Sequence, residues 1–208
     1  MCFSAESSLT TLLVSFSLSY LLFTNGNKYD KTIAVFCFTF GSMQFAEYLM
    51  WIDQDCGKGN NFASMLGNLI LFLQPLSILM AGYYYKSFHI PQYLLLFLII
   101  LSSYFIINLT YNYIKSNKNL CSLERESGYL DWEFINGGVE DFELSSKIFY
   151  YSILFLTWFF MKDGVKGAAI GLWNIVLFLI VGANFQQWES IWCYIANITP
   201  LIFLFLQN

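Results

Sequence analysis

Charged residues are scarce in this chain. Of its 208 residues, 12% are Asp, Glu, Lys or Arg, whereas average soluble domains carry about 25%. So few charges cannot cover a soluble surface, and the remainder is rich in apolar side chains, with 57% hydrophobic and 20% aromatic residues. The composition is that of a polytopic integral membrane protein, whose main partner is the lipid bilayer.

Histidine is nearly absent, and this excludes several kinds of site. His89 is the single histidine, so neither a zinc site nor a membrane hydrolase of the ceramidase type is expected.

Other functional groups are missing as well. The last apolar run has no lysine for a retinal Schiff base. The chain also lacks a phosphate-cradling loop and a nucleic-acid-binding patch, and no cofactor is expected. A nucleophile such as Cys193 would have Glu47 as its one deep base, so enzymatic activity is poorly supported.

Long apolar runs fill most of the sequence. A membrane-spanning helix needs about 17 to 25 predominantly apolar residues. No basic stretch precedes the first run, so a cleavable signal peptide is not expected. We predict an all-α integral membrane protein with a single domain, 1–208, and seven transmembrane helices. The predicted runs are 8–24, 32–52, 62–85, 93–113, 147–162, 168–185 and 190–206.

The positions of the lysines predict the orientation. One side has three short loops with a high density of positive charge, which is typical of the cytoplasmic side. The other side has the N-terminus, the 53–61 loop, the long 114–146 loop and the 186–189 turn. The prediction is an outer N-terminus and a cytoplasmic C-terminus. The lysines of the three short loops are Lys28, Lys31, Lys86, Lys162 and Lys166.

Four of the five cysteines fall on or near the predicted outer side. They could form two disulfides in an oxidising compartment, in any of three pairings, or remain four unpaired thiols. Cys37 lies towards the inner half of the second run. The four outer cysteines are Cys2, Cys56, Cys121 and Cys193.

The long outer loop between the fourth and fifth runs has a pattern of its own. In "YLDWEFINGGVEDFEL", residues 129–144, apolar and acidic residues alternate on both sides of Asn136-Gly137-Gly138. This pattern predicts a small extracellular β-hairpin. Its acidic residues could concentrate cations at an entrance, or they could keep an extracellular cap soluble.

Polar residues recur within the apolar runs, and Glu47 is the ionisable one that lies deepest. A carboxylate facing lipid costs several kcal/mol, so we expect Glu47 to face a polar cavity in the outer half of the bundle. It would be protonated, hydrogen-bonded to a carboxamide, or neutralised by a cation; the alternative is a neutral carboxyl that only joins helices. Pro75 and Pro200 would kink their helices. The predicted cavity residues are Gln44, Glu47, Trp51, Asn68, Gln74, Asn184, Gln187, Glu189 and Asn197.

Two pairs of segments are similar to each other within the chain. "GSMQFAEYLMW" resembles "GANFQQWESIW", and "LFLQPLSIL" resembles "ANITPLIFL". Two three-helix units joined by a fourth helix would explain both pairs, and small transporters use such repeats. In arrangement only, this 3+1+3 pattern resembles the sugar transporters of the SWEET and PQ-loop kind.

The segments "MCFSAESS", "MQFAEYLMW", "LQPLSILM" and "WCYIANITP" together resemble a family of small seven-helix membrane proteins that begin with MCFS. The resemblance implies the architecture and no particular activity. At the start of the chain, Ser4 is expected to cap the first helix, with Glu6 in the first turn favourable to the helix dipole.

These observations lead to one main hypothesis and two alternatives. The chain is expected to be a channel or transporter for a small cation, proton or polar solute, using the cavity around Glu47. It could instead be a non-transporting receptor or assembly module that acts through its acidic outer loop. An intramembrane enzyme is the third hypothesis. The sequence leaves open whether the protein works as a monomer or as a homo-oligomer that lines a shared pore.

Overall fold

The computed structural model describes residues 4–116, 119–124, 128, 130–132, 144–184 and 197–206. This part of the chain is almost entirely helical, with one short pair of strands. A 3-10 turn, Thr157–Phe160, directly follows the sixth helix. The elements are α1 Ala5–Asn25, α2 Lys28–Gly41, α3 Met43–Ile52, α4 Lys58–Tyr85, α5 Gln92–Ser116, β1 Leu123–Glu124, β2 Leu130–Asp131, α6 Leu144–Leu156, α7 Gly164–Asn184 and α8 Thr199–Phe205.

Four helical segments are long and apolar enough to cross a membrane. They are Ala5–Asn25, Lys28–Ile52, Lys58–Tyr85 and Gln92–Asn112, and they correspond to the first four predicted runs. Ile148–Phe160 and Gly164–Ile180 are shorter apolar helices at the fifth and sixth runs. Part of the seventh run, 190–206, lies outside the described residues. The fold is therefore helical and fits a membrane protein, while the count of seven spans and the 3+1+3 repeat stay predictions.

Helix α4 lies at the centre of the described bundle. It contacts α2, α3, α5 and α6, whereas α1 contacts α2, α3 and α8. By contrast, α5 is largely exposed, and many of its apolar residues are not covered by the other described helices. In a protein with this composition, such a face suits contact with lipid. Fully buried residues occur on α2, α3 and α4 and also on α6 and α7.

Helix starts follow local hydrogen-bonding rules. Ser4 caps α1, as predicted: its side chain accepts a hydrogen bond from the backbone N–H of Ser7, and Glu6 lies in the first turn. Asn27 caps α2 in the same way, and the Asp30 side chain bonds back to the Asn27 N–H at 3.0 Å. These reciprocal bonds satisfy backbone donors that have no partner inside the helix.

The second predicted span contains an interruption at Gly41-Ser42. Helix α2 ends at Gly41, Ser42 is a turn residue, and α3 begins at Met43. The Ser42 hydroxyl donates to the Thr39 carbonyl at 2.6 Å. Gly/Ser pairs are common places for a helix to change direction. The stretch that carries Gln44 and Glu47 therefore starts at this break.

At the end of the bundle near the α4–α5 connection, two loops are joined. Segment 87–89 pairs with segment 160–162 through two backbone hydrogen bonds, of 2.7 and 2.8 Å. Phe88 and Trp158 are both buried there, with their ring centroids 6.2 Å apart, and Phe36 packs edge-on against Trp158. These contacts connect α2 and α4 to the α6–α7 connection.

The strand pair overlaps the start of the predicted hairpin, because β2 falls on its first residues. Strands β1 and β2 are antiparallel, with Leu123 opposite Asp131 and Glu124 opposite Leu130. The predicted hairpin, 129–144, rests mainly on 133–143, which lie outside the described residues. It stays a prediction.

Candidate functional site

A disulfide joins the α3–α4 loop to the segment after α5. Cys56 and Cys121 are bonded, with their Cα atoms 5.2 Å apart and 65 residues between them in sequence. This confirms that the chain has a disulfide among the predicted outer cysteines. Cys2 and Cys193 lie outside the described residues, and Cys37 is a buried free thiol.

Hydrogen bonds around Asn60 extend this connection. The Asn60 Nδ2 atom donates to the Ser122 carbonyl at 2.9 Å and to the Asp53 carbonyl at 2.7 Å. In return, the Ser122 N–H donates to Asn60 Oδ1 at 2.8 Å, and the Ser64 and Ser122 hydroxyls are 2.8 Å apart. Asn60, Ser64 and Ser122 are all fully buried. We call Asp53, Cys56, Asn60, Cys121 and Ser122 the disulfide knot.

Asp53 organises the loop within the knot. One carboxylate oxygen accepts the Gly57 N–H and the other accepts the Asn60 N–H, each at 3.0 Å. Hydrogen bonds from the backbone of Asn60 and Gly57 stabilise the ionised form and hold the pKa of Asp53 below its ordinary value.

The deepest polar residues of α3 follow directly from the knot. The Met50 carbonyl accepts a bond from Asn60 Nδ2 at 3.3 Å. Glu47 lies three residues before Met50, or about one helical turn, and Gln44 lies three residues before Glu47. Both side chains are fully buried, on the helix that packs against α1 and α4. The Glu47 carboxyl and the Gln44 carboxamide therefore lie one helical turn apart on the buried side of α3.

Polar residues of α1 and of the turn before α8 meet the start of this stretch. A Cβ placed at Gly41 would overlap the Ser15 hydroxyl and would lie 3.2 Å from Asn197 Oδ1. Ser8 is also buried on α1, and neither its hydroxyl nor that of Ser15 has a hydrogen-bond partner in the described part of the chain. Since the turn between α1 and α2 reverses the chain, Ser8 falls near the level of Glu47.

These residues define the candidate site. They lie on α1, on α3 and in the turn before α8, and they extend from one turn beyond the disulfide knot to the α2–α3 break. Asn197 also lines an opening of about 210 Å³ beside α1 and α8, whose walls include the exposed Val14 and Leu201. We call the set the polar column: Ser8, Ser15, Gln44, Glu47 and Asn197.

Of the other predicted cavity residues, Asn68 and Gln74 have contacts elsewhere in the bundle. Trp51 is half-buried at the end of α3. Asn68 lines a separate groove between α4 and α5, together with Phe62 and Thr110. Gln74 accepts a 2.7 Å hydrogen bond from the Tyr150 hydroxyl. Nothing is described of Gln187, of Glu189 or of the Asn184 side chain.

The two prolines have different positions in their helices. Pro75 is inside α4 and is buried, and the kink predicted there stays a prediction. Pro200 is in the first turn of α8, where a residue without an N–H is well tolerated. Its predicted kink would involve residues before Asn197, outside the described part.

At the opposite end of the bundle, the structure contains a buried ion pair. Lys166 Nζ lies 2.5 Å from Asp30 Oδ1, and the two side chains are 9% and 2% exposed. Lys166 was predicted to be a loop residue, but it belongs to the first turn of α7, which begins at Gly164. The pair joins α2 to α7 across 136 residues of sequence.

Sequence reasoning missed the α1 serines, Asn60 and the Asp30–Lys166 pair. The serine spacing was a usable signal, because positions 8, 15 and 19 recur at helical intervals on the buried face of α1. Asn27 and Asp30 form a recognisable capping pattern. No local pattern connects Asp30 with Lys166.

The described residues contain no group of three or more His, Cys, Asp or Glu side chains that could hold a metal ion. Comparisons of this chain with protein-family models, with curated proteins and with solved structures find no match.

Proposed function

We propose that the chain is a multi-pass membrane protein that passes a proton or another small cation through the polar column. The observation that carries the proposal is Glu47, a fully buried carboxyl inside an apolar helical segment. Burying an ionisable group in this setting is costly, and such groups commonly mark ion or proton pathways. Gln44, one turn away, supplies a carboxamide next to the carboxyl.

The polar column gives this carboxyl polar neighbours along the bundle. Gln44, Ser8 and Ser15 offer hydrogen-bonding groups between the level of Glu47 and the α2–α3 break, and a path needs such groups at successive levels. A cation is favoured over an anion because the ionisable residue of the column is acidic. The acidic residues of the 129–144 segment would add to the local cation concentration on the predicted outer side.

Several contacts join the elements at the far end of the bundle. The Asp30–Lys166 pair, the Thr32–Ser87 hydroxyl bond of 2.9 Å and the pairing of 87–89 with 160–162 all lie there. A transporter would have to loosen contacts of this kind during its cycle. A channel would need a path around them.

Ion flux into proteoliposomes tests the proposal. Wild type and Glu47→Gln would be compared under imposed proton, sodium and potassium gradients. The matched control is Glu124→Gln, the same change at an exposed residue of β1. We expect flux above that of empty liposomes in wild type and the control, and at least a tenfold loss in Glu47→Gln. Absence of flux in correctly folded wild type would overturn the proposal for these ions.

The disulfide knot favours one alternative, a membrane receptor or assembly module. The knot fixes the segment that carries β1 and β2 on the end of the bundle, and a fixed platform suits recognition by a partner. Deletion of 129–144 would then abolish partner binding, whereas flux through the polar column would survive it.

A further inference from the structure

A second set of buried polar groups lies away from the polar column, where α4, α5 and α6 meet. A small cavity there is lined by Phe72, Pro75, Ser102, Phe105, Ile106, Phe149 and Tyr150. Its volume is about 10 Å³, which is the space that one water molecule requires. The walls are mostly aromatic, and two hydroxyl-bearing residues interrupt them.

Ser102 is the first of these residues. It is 3% exposed, and its hydroxyl has no hydrogen-bond partner among the described residues. The neighbouring Ser103 donates to the Ile99 carbonyl at 2.8 Å, as helical serines usually do. Ser102 does not make the equivalent bond and lines the cavity instead. A buried hydroxyl without a partner is unfavourable, so this position suits an additional polar molecule.

Tyr150 is the second hydroxyl-bearing residue of the cavity wall. Its hydroxyl donates to Gln74 Oε1 at 2.7 Å, and a phenolic oxygen can accept hydrogen bonds as well as donate one. The amide nitrogen of Gln74 is buried and has no partner in the described part of the chain. Beside it, Pro75 has no N–H for the carbonyl of Leu71, the usual acceptor four residues earlier. One unsatisfied polar group, the Ser102 hydroxyl, is therefore on the cavity wall, and a second, the Gln74 amide nitrogen, belongs to the residue next to the wall residue Pro75.

The geometry points to a binding site for one water molecule, which donates to the Tyr150 oxygen and exchanges a hydrogen bond with the Ser102 hydroxyl. The resulting chain of hydrogen bonds runs from Gln74 through Tyr150 and the water to Ser102. It joins α4, α6 and α5 at the proline-interrupted turn of α4. Ordered waters commonly satisfy the groups that prolines free in membrane helices. This site is independent of the proposed cation path.

Thermal unfolding of the full chain in detergent distinguishes a hydrated cavity from a dry one. The two cases predict different changes in Tm when Ser102 is replaced by alanine. Ser102→Ala removes the hydroxyl that holds the water, and Ser103→Ala is the matched control at the adjacent position. With the water present, Ser102→Ala should lower Tm by about 2–4 °C relative to the control. In a dry cavity, the substitution would remove an unsatisfied hydroxyl, and Tm would stay unchanged or rise. That result would overturn the proposal.

An experimental density map of the wild type provides a test that does not depend on variants. Density for a water about 2.7–3.0 Å from both Ser102 Oγ and Tyr150 Oη is expected. A Ser102 hydroxyl that is bonded to its own helix backbone, or a map without this water at a resolution that shows other buried waters, would overturn the proposal.

Discussion

The two oxygens of the Asp30 carboxylate have different partners. Oδ2 accepts the Asn27 N–H at the start of α2, and Oδ1 accepts from Lys166 of α7. One side chain thus caps its own helix and anchors a distant one. Removing one partner of a buried ion pair destabilises a protein more than replacing both partners by neutral residues. Single and double variants can therefore separate the ion pair from the helix cap.

We predict that Lys166→Met destabilises the protein by about 3–5 kcal/mol, because it leaves the buried Asp30 carboxylate without its counter-charge. Asp30→Asn combined with Lys166→Met should recover part of the loss, since Asn removes the charge and keeps an oxygen for the Asn27 N–H. The free energy of unfolding in detergent is the measurement. Lys162→Met, at an exposed lysine nearby, should change it by less than about 0.5 kcal/mol. Equal losses for the single and double variants would contradict this account.

Asp53 should make stability depend on pH in one direction. Its pKa is lower in the folded chain than the ordinary value of 3.8 because the Asn60 and Gly57 N–H groups favour the carboxylate. The folded state therefore binds the proton more weakly than the unfolded state, and the stabilisation is complete above pH 3.8 and lost as pH falls through the lower folded pKa. We predict that the Tm difference between wild type and Asp53→Asn is constant near neutral pH and shrinks below about pH 4. A difference that grows in acid would contradict this assignment.

At the scale of elements, Gly82 lets a loop side chain lie against its helix. A Cβ at this position of α4 would overlap the ring of Phe88, which is buried over it. Phe88 belongs to the loop that pairs with segment 160–162. The absence of a side chain at Gly82 is thus a condition for the pairing of the two loops.

Gly82→Ala should cost about 1–3 kcal/mol, the usual range for overpacking a buried contact. Gly164→Ala provides the control, because nothing lies within 4 Å of a Cβ there; it should leave the free energy of unfolding within about 0.5 kcal/mol of wild type. Chemical denaturation in mixed micelles measures both variants. Equal effects of the two substitutions would show that the Phe88 contact does not matter.

The sequence predicts elements whose cause is local. The lengths of the apolar runs predicted the helices, and Ser4 predicted the start of α1. Spans and caps are predictable because they depend on residues that are close in sequence. Contacts between distant segments were not predictable in this way. No local pattern predicts that Cys56 bonds to Cys121 or that Ser15 lies against Gly41. The same is true of the position of Asn68 in a separate groove. Each depends on how the helices are arranged around α4.

For the whole molecule, the predicted topology places 53–61 outside and the α4–α5 and α6–α7 connections inside. We expect cysteines introduced at Lys58 to react with a membrane-impermeant maleimide on intact cells. Cysteines at Lys86, Lys162 and Leu206 should not react. The background would lack Cys2, Cys37 and Cys193, and permeabilised cells would show that every site can be labelled. Labelling of both Lys58 and Leu206 from outside would indicate an even number of spans between them and contradict the seven-helix prediction, which has five there.

The disulfide knot also sets an order of events during synthesis. Cys121 follows Cys56 by 65 residues, so at about 5–20 residues per second the ribosome needs about 3–13 s to supply the second thiol. During that interval the loop between α3 and α4 has no disulfide. The disulfide can form only after α5, which precedes Cys121, has been synthesised. The end of the bundle next to Glu47 is consequently completed only after about half of the chain has been made.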